Sequence, residues 1–203
     1  MLSTRFAFLS LVLSVVGYVN ASPLSSADPL TNAGVCTDAP TCNPPTVPCS
    51  SEADIDLALT KYVPDVSVFW GGRYPSDSKT SVKKLAETCA QKQTGGGTIG
   101  MVLCQQKNIT MPANPADPLW VYASEKFAEY AKGKALVTLG AALYEKATFF
   151  YAELPALIKN NNVKSIVSVD VGTADFKELC YWHCADGNCP VGIISSTAIL
   201  NFI

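Results

Sequence analysis

The sequence predicts an α/β fold stapled by disulfides, with a mostly helical N-terminal lobe and a C-terminal lobe that holds a small parallel β-sheet flanked by helices. Strand-like and helix-like segments alternate in the second half of the chain, as they do in sheets whose strands are joined by helices. The first half carries mainly helical patterns. The chain also contains eight cysteines, an even number that favours disulfides in an exported protein.

The N-terminal segment predicts export. Arg5 precedes a short apolar run over 6–16, and the small residues Val19 and Ala21 follow at the spacing of a peptidase site. The run is too short for a transmembrane helix. We therefore expect a signal peptide over 1–21 and a secreted protein.

The mature chain divides into an arm and a folded domain. Residues 22–50 are rich in Ser, Pro and Thr and carry three cysteines, which predicts an irregular arm pinned by disulfides. The rest, 51–203, is expected to form one domain of two lobes, roughly 51–117 and 118–203.

The cysteines leave their pairing open, because the sequence does not choose among the many possible connectivities. They are Cys36, Cys42, Cys49, Cys89, Cys104, Cys180, Cys184 and Cys189. A zinc site built from the last three and His183 is an alternative, which an oxidising compartment disfavours.

The elements of the first half follow from caps and breakers. Ser51 to Asp54 resembles a capping box and predicts the start of a helix that Pro64 ends. The elements expected next are a strand over 66–70, a helix over 79–91 and an extended segment over 99–104.

The second half has a clearer pattern. Asp117 and Pro118 are a typical N-cap and first helical residue, and apolar residues recur at helical spacing until Gly133. The elements expected next are strands over 135–139 and 163–169, a helix over 175–181 and an apolar closing strand over 191–203. An anchor signal at this apolar end is an alternative, although the polar spacer of such signals is missing.

Charge excludes two classes of partner. The net charge is −2, and no run of Lys or Arg occurs, so neither nucleic acid nor an acidic membrane surface has electrostatic support. Asn108 begins a glycosylation sequon that is usable on a surface loop. The sequence leaves the oligomeric state open, a homodimer included.

Common catalytic devices are absent from the sequence. Its single histidine, His183, lies among cysteines, and no serine sits in a Gly-x-Ser-x-Gly elbow. Neither a P-loop nor a dinucleotide-binding Gly-x-Gly-x-x-Gly turn is present, and the glycines at 95–97 lack the strand–turn–helix context.

Aromatic and acidic residues stand out instead. Trp70 closes a predicted strand, and Trp120 has Ser124 one turn further along the same helix face. Glu153 is a carboxylate within an apolar run. Taken separately, each feature is also typical of a core residue or a helix cap.

Four segments in order carry a resemblance: VFWGG at 68–72, MVLCQQ at 101–106, LWVYASEKFA at 119–128 and TFFYAELPAL at 148–157. They resemble the corresponding elements of the ADP-ribosyl cyclase and NAD glycohydrolase family, which includes the molluscan cyclase and the mammalian lymphocyte ecto-enzyme. The resemblance covers roughly residues 66 to 180.

The resemblance implies a role for each matching residue. Glu153 matches the family's catalytic glutamate, and Trp70 and Trp120 match the indoles that line the nicotinamide pocket. Ser124 matches a serine that contacts the substrate near its ribose and phosphate. Further matches are Thr148 and Phe149 at phosphate-facing positions and Gln106 at the pocket mouth.

The sequence departs from the family pattern at two of these elements. Leu103 replaces a tryptophan, and Gly72 stands where members can carry an arginine, with Arg73 one residue later as a candidate phosphate ligand.

The resemblance implies an enzyme that cleaves NAD to ADP-ribose and nicotinamide, with NAD as substrate and no cofactor. In the family, an aromatic residue five positions before the glutamate accompanies strong cyclase activity, and threonine accompanies hydrolysis. Thr148 therefore predicts a glycohydrolase with minor cyclase activity. The alternatives are a non-catalytic binding or effector protein with the same fold and an ADP-ribosyltransferase.

Overall fold

A computed structural model of the chain describes residues 36–73, 81–106, 108–140, 147–170 and 175–184, with the backbone only for 180–184. The predicted signal peptide and the predicted closing strand both lie outside these residues.

Within the described residues, five strands form one sheet in the order β2-β1-β3-β4-β5. They are β1 (Val66–Gly71), β2 (Gly96–Gly97), β3 (Gly133–Leu139), β4 (Val163–Val169) and β5 (Glu178–Cys184). Strands β1 to β4 run parallel, whereas β5 pairs antiparallel with β4. The sheet is therefore mixed, although its centre is parallel as the alternating pattern predicted.

In the described part of the chain, five α-helices and one π-helical turn pack around this sheet. They are α1 (Glu52–Lys61), α2 (Lys83–Lys92), α3 (Ile99–Cys104), α4 (Pro118–Tyr130), the π-helical turn (Phe149–Glu153) and α5 (Leu154–Lys159). None of the described helices is long and apolar enough to cross a membrane.

The sheet has a core on each face. Helix α2 packs on one face, where Ala86 and Cys89 meet Val68 and Val167. The other helices and the π-helical turn contribute to the second core, in which the Phe69 and Phe127 rings lie 5.1 Å apart. Burial on both faces accounts for the runs of apolar residues in the parallel strands.

The predicted helix starts at two caps are confirmed. The Ser51 side chain accepts a hydrogen bond from the Asp54 amide, and Asp54 accepts one from the Ser51 amide, which completes a capping box. The Asp117 side chain accepts from the Leu119 amide, with Pro118 as the first helical residue.

Two predicted elements are wrong. Residues 99–104 were expected to be extended but form α3, because a short run that is buried nearly throughout has no periodicity that separates a strand from a helix. The Thr98 side chain accepts from the Met101 amide, a cap that signals the helix.

The second error concerns residues 175–181, which were expected to be helical. Strand β5 begins at Glu178 and pairs with β4. Aromatic residues at 181 and 182 favour a strand, and the neighbouring strand supplies the pairing that a single sequence does not show. Helix α2 also begins later than predicted, at Lys83.

The arm is attached by cysteines. Cys36 pairs with Cys104 at the end of α3, and Cys42 pairs with Cys49 within the arm. Such bonds are typical of proteins that fold in oxidising compartments. Cys89 is buried and has no disulfide partner among the described side chains.

Candidate active site

A cleft of about 500 Å³ opens at the carboxyl edge of the parallel strands. After β1 the chain moves to β2 on one side, and after β3 it moves to β4 on the other side. The ends of β1 and β3 therefore form a topological switch point, the place where open α/β sheets bind ligands. The cleft contains Trp70, Gly71 and Gly72 from the end of β1 and residues 147–149 and Glu153 from beyond β3.

The two strand ends at this switch point are tied together. The Gly140 amide donates a hydrogen bond to the Gly71 carbonyl oxygen at 2.8 Å. A Cβ at position 140 would lie 2.1 Å from the carbonyl oxygen of Arg73, so only glycine fits against this backbone. The ends of β1 and β3 beside the cleft are therefore held in close backbone contact.

Glu153 reaches the cleft from the π-helical turn. The Leu154 amide donates to the Phe149 carbonyl oxygen, five residues earlier, which is the π-helical pattern. Pro155 follows, and its ring would crowd the carbonyl four residues before it in a regular α-helix. Single π-turns of this kind are frequent at functional sites.

The Glu153 carboxyl group is almost completely withdrawn from water, with 4% of the residue exposed. Burial raises its pKa to about 8, and a hydrogen bond with the Ser124 side chain opposes the rise. Its Oε2 atom is buried and accepts no hydrogen bond from any residue in the described part of the chain. A buried acceptor without a partner costs free energy, so this oxygen requires an explanation.

Both predicted tryptophans line the cleft together with Ser124. Trp120 is half-buried, and its indole Nε1 donates to the Pro112 carbonyl oxygen at 2.8 Å, which fixes the ring's orientation. Trp70 is half-buried and is paired in register with Thr138 of β3. Ser124 is buried one helical turn after Trp120.

Thr148 and Phe149 also line the cleft. Thr148 precedes the π-helical turn, and its side chain accepts no capping hydrogen bond from the start of that turn. Phe149 is 1% exposed and packs edge-on against Phe150, at 5.2 Å between ring centroids. Phe149 therefore supports the cleft wall from within the core.

Two predicted substrate ligands lie elsewhere. Arg73 is exposed, is bridged to Ser81 through its backbone and does not line the cleft. Gln106 follows α3 and is not a lining residue either. Asn108 is exposed, as a glycosylation site requires, with a left-handed backbone (φ 77°).

The arm supplies a wall of the cleft that the sequence did not indicate. This wall consists of Asp38, Ala39 and Thr41, together with Lys83 of α2, and none of them belongs to a recognisable motif. The arm runs beside Met111, whose amide donates to the Pro40 carbonyl oxygen at 2.8 Å. The composition of this segment indicated an irregular arm, and nothing in it signalled a place in the cleft.

The arm also packs closely on α3. A Cβ on Gly100 would lie 2.4 Å from the Thr37 carbonyl oxygen, so glycine allows the arm to approach. The neighbouring bond between Cys36 and Cys104 holds the same contact. The arm wall is therefore fixed to the domain beside the cleft.

Within the described residues, no group of three His, Cys, Asp or Glu side chains could hold a metal ion. No protein-family model matches the sequence, and no curated protein is significantly similar to it.

Proposed function

We propose that the chain is a secreted NAD glycohydrolase of the ADP-ribosyl cyclase type, which releases nicotinamide and ADP-ribose and forms a minor amount of cyclic ADP-ribose. The observation that carries the proposal is Glu153, a buried carboxyl group in a cleft that also presents two tryptophans, with one oxygen that has no hydrogen-bond partner among the described residues. An oxygen of this kind is explained if a substrate supplies its partner.

The chemistry of NAD requires few protein groups. The bond between ribose C1′ and the nicotinamide nitrogen breaks, and its electron pair goes to the nitrogen. Nicotinamide then leaves as a neutral molecule and needs no proton, in contrast to the sugar alkoxide of an O-glycoside, which an acid must protonate. A single carboxylate and no histidine are therefore sufficient.

Glu153 would stabilise the positive charge that develops on the ribose. A carboxylate in a poorly hydrated site does so strongly, because few water molecules compete with it. It would act by electrostatic stabilisation or by adding to C1′ as a short-lived ester. Water then adds to C1′ and loses a proton, which gives ADP-ribose.

The protonation of Glu153 would follow the arrival of the substrate. Before substrate binds, the pKa raised by burial favours the neutral acid at pH 7. A bound pyridinium brings a positive charge that favours the carboxylate. Trp70 and Trp120 would assist by stacking on the flat cationic ring, at about 0.5–2 kcal/mol for each contact.

Thr148 supports hydrolysis as the main outcome. It lies at the cleft five residues before Glu153, where the family resemblance associates threonine with hydrolysis. A small side chain at this position leaves water access to the ribose cation. We expect linear ADP-ribose to exceed cyclic ADP-ribose, and predominant cyclic product would overturn this part of the proposal.

The test is nicotinamide release from NAD by the purified protein beside Glu153→Gln. The substitution keeps the shape of the side chain but removes its charge, so we expect release to fall about a hundred- to a thousandfold, as on loss of a main electrostatic group. Glu125→Gln is the matched control, because Glu125 is exposed on α4 and outside the cleft.

Three outcomes separate the alternatives. Loss of release in Glu153→Gln alone supports the enzyme and its carboxylate. No release by a folded wild-type protein favours a non-catalytic binding protein with this fold. Transfer of label from NAD to protein, without free ADP-ribose, favours an ADP-ribosyltransferase.

A further inference from the structure

Few of the described residues that line the cleft are charged. Among its described lining residues, Asp38, Lys83 and Glu153 are the ionisable ones, and Lys83 is the single cation. A dinucleotide carries two phosphate groups, and proteins usually hold such groups with lysine, arginine or backbone amides. Lys83 is therefore the described side chain at the cleft whose charge complements a pyrophosphate.

Lys83 occupies an unusual place in its helix. It is the first residue of α2, Lys84 follows it, and the first turn carries no acidic residue. The helix dipole disfavours cations at this end. A conflict between a residue and its local structure is common at functional sites.

Asp38 would compete with such a ligand for Lys83. Its Nζ donates a hydrogen bond to Oδ1 of Asp38 and lies 3.8 Å from Oε1 of Glu87. The Lys83 and Asp38 side chains are 32% and 53% exposed. Ion pairs this exposed contribute at most about 1 kcal/mol, so an incoming anion can displace Asp38 from Lys83.

The arm keeps Asp38 at this position. The Cys36–Cys104 bond and the close contact between Thr37 and Gly100 lie directly before it in the chain. Asp38 therefore remains beside Lys83 when the ion pair opens, and its charge continues to oppose any anion bound there.

We propose that Lys83 binds the pyrophosphate of the dinucleotide substrate and that Asp38 competes with it, so that this pair sets the preference for phosphate-bearing substrates over nucleosides. The inference rests on the proposed function, because it assigns a substrate feature to the same cleft. According to this inference, Lys83 strengthens substrate binding, and Asp38, its ion-pair partner, weakens it.

The test compares NAD with nicotinamide riboside, which has the same scissile bond and no phosphate, in Lys83→Gln and Asp38→Asn. We expect Lys83→Gln to lower kcat/KM for NAD about ten- to a hundredfold through loss of a charge-assisted contact, mainly through KM. Asp38→Asn is expected to raise kcat/KM for NAD about two- to fivefold because repulsion is removed. Both variants should leave the riboside within about twofold.

Lys84→Gln is the matched control, since it removes a neighbouring charge that does not line the cleft. If the ion pair only fastens the arm, both variants change in the same direction and on both substrates, which overturns the inference. An unchanged kcat/KM for NAD in Lys83→Gln also overturns the inference.

A binding measurement separates this inference from the proposed function. Calorimetry with ADP-ribose needs no catalysis, and we expect Lys83→Gln to weaken binding and Asp38→Asn to strengthen it. If wild type binds ADP-ribose and the two variants change this binding as expected, but wild type releases no nicotinamide from NAD, the proposed activity fails and the phosphate site stands. If wild type does not bind ADP-ribose, the phosphate site fails.

Discussion

The two walls of the cleft differ in how much water reaches their charged groups. On one wall, Glu153 is 4% exposed, and burial raises its pKa to about 8. On the arm wall, Asp38 and Lys83 are partly exposed and neutralise each other. One cleft thus contains the carboxyl group of Glu153, which is shielded from water, and that of Asp38, which is hydrated, so their charges interact with other groups at very different effective dielectric constants.

This difference indicates a division of labour. An ionisable group withdrawn from water destabilises the fold when it is ionised. Its charge then interacts strongly with a charge that develops on the substrate. An exposed ion pair contributes little to stability and is easily exchanged for a ligand. We therefore expect substitutions on the Glu153 wall to affect chemistry and pH dependence, and those on the arm wall to affect substrate preference.

The largest expected effect is on stability at high pH in Glu153→Gln. An unfolded glutamate ionises near pH 4.5, whereas folded Glu153 keeps its proton up to about pH 8. The wild type therefore loses free energy of unfolding across this window, at about 1.4 kcal/mol per pKa unit, or up to roughly 5 kcal/mol. The glutamine variant does not titrate and should be the more stable protein at pH 9.

Urea unfolding of both proteins at pH 5 and pH 9 measures this difference. We expect the gap in unfolding free energy between variant and wild type to widen with pH and to be complete above about pH 8. Glu125→Gln, an exposed position, should show no such widening. Parallel curves for Glu153→Gln and wild type would contradict the burial of an ionisable group.

The next largest effect is expected where the arm packs on α3, in Gly100→Ala. The added Cβ meets the Thr37 carbonyl oxygen at 2.4 Å, and the adjacent disulfide limits how far the arm can retreat. We expect the free energy of unfolding, measured by thermal or urea unfolding, to fall by about 1–3 kcal/mol. Gly71→Ala is the control at the same cleft, because its Cβ would be 3.5 Å from Leu139 Cδ2, an ordinary contact.

An unchanged stability in Gly100→Ala would show that the arm does not press on α3. Faster amide hydrogen exchange around residue 37 in the variant would show that the arm has moved away instead.

The smallest expected effect is a shift in the pH profile of Ser124→Ala. The Ser124 hydrogen bond lowers the pKa of Glu153, so its loss raises that pKa further above the wild-type value. If ionised Glu153 is the active form, kcat/KM rises with pH to a plateau, and the rise moves to higher pH in the variant. Near pH 7 we expect a loss of about tenfold.

Ser124→Thr keeps the hydroxyl group and should keep the wild-type midpoint. Nicotinamide release by Glu153→Gln at each pH corrects for uncatalysed cleavage of NAD. An equal loss at every pH in Ser124→Ala would assign Ser124 to substrate contact and not to the pKa of Glu153.

Local signals in the sequence were sufficient for much of the fold. The caps at Ser51 and Asp117 and the apolar strands over 66–70 and 163–169 depend on neighbouring residues, and all are present in the structure. The segments at 99–104 and 175–181 were misassigned because burial and strand pairing involve distant parts of the chain.

The same distinction applies to the site. The sequence by itself determined which residue types are available: one glutamate in an apolar run, two tryptophans and a serine one turn after the second. Only the tertiary structure decided that the π-helical turn buries Glu153 and that the arm brings Asp38 to Lys83 at the other wall. The physical reason is that burial and charge pairing depend on residues far apart in the chain, which no local pattern records.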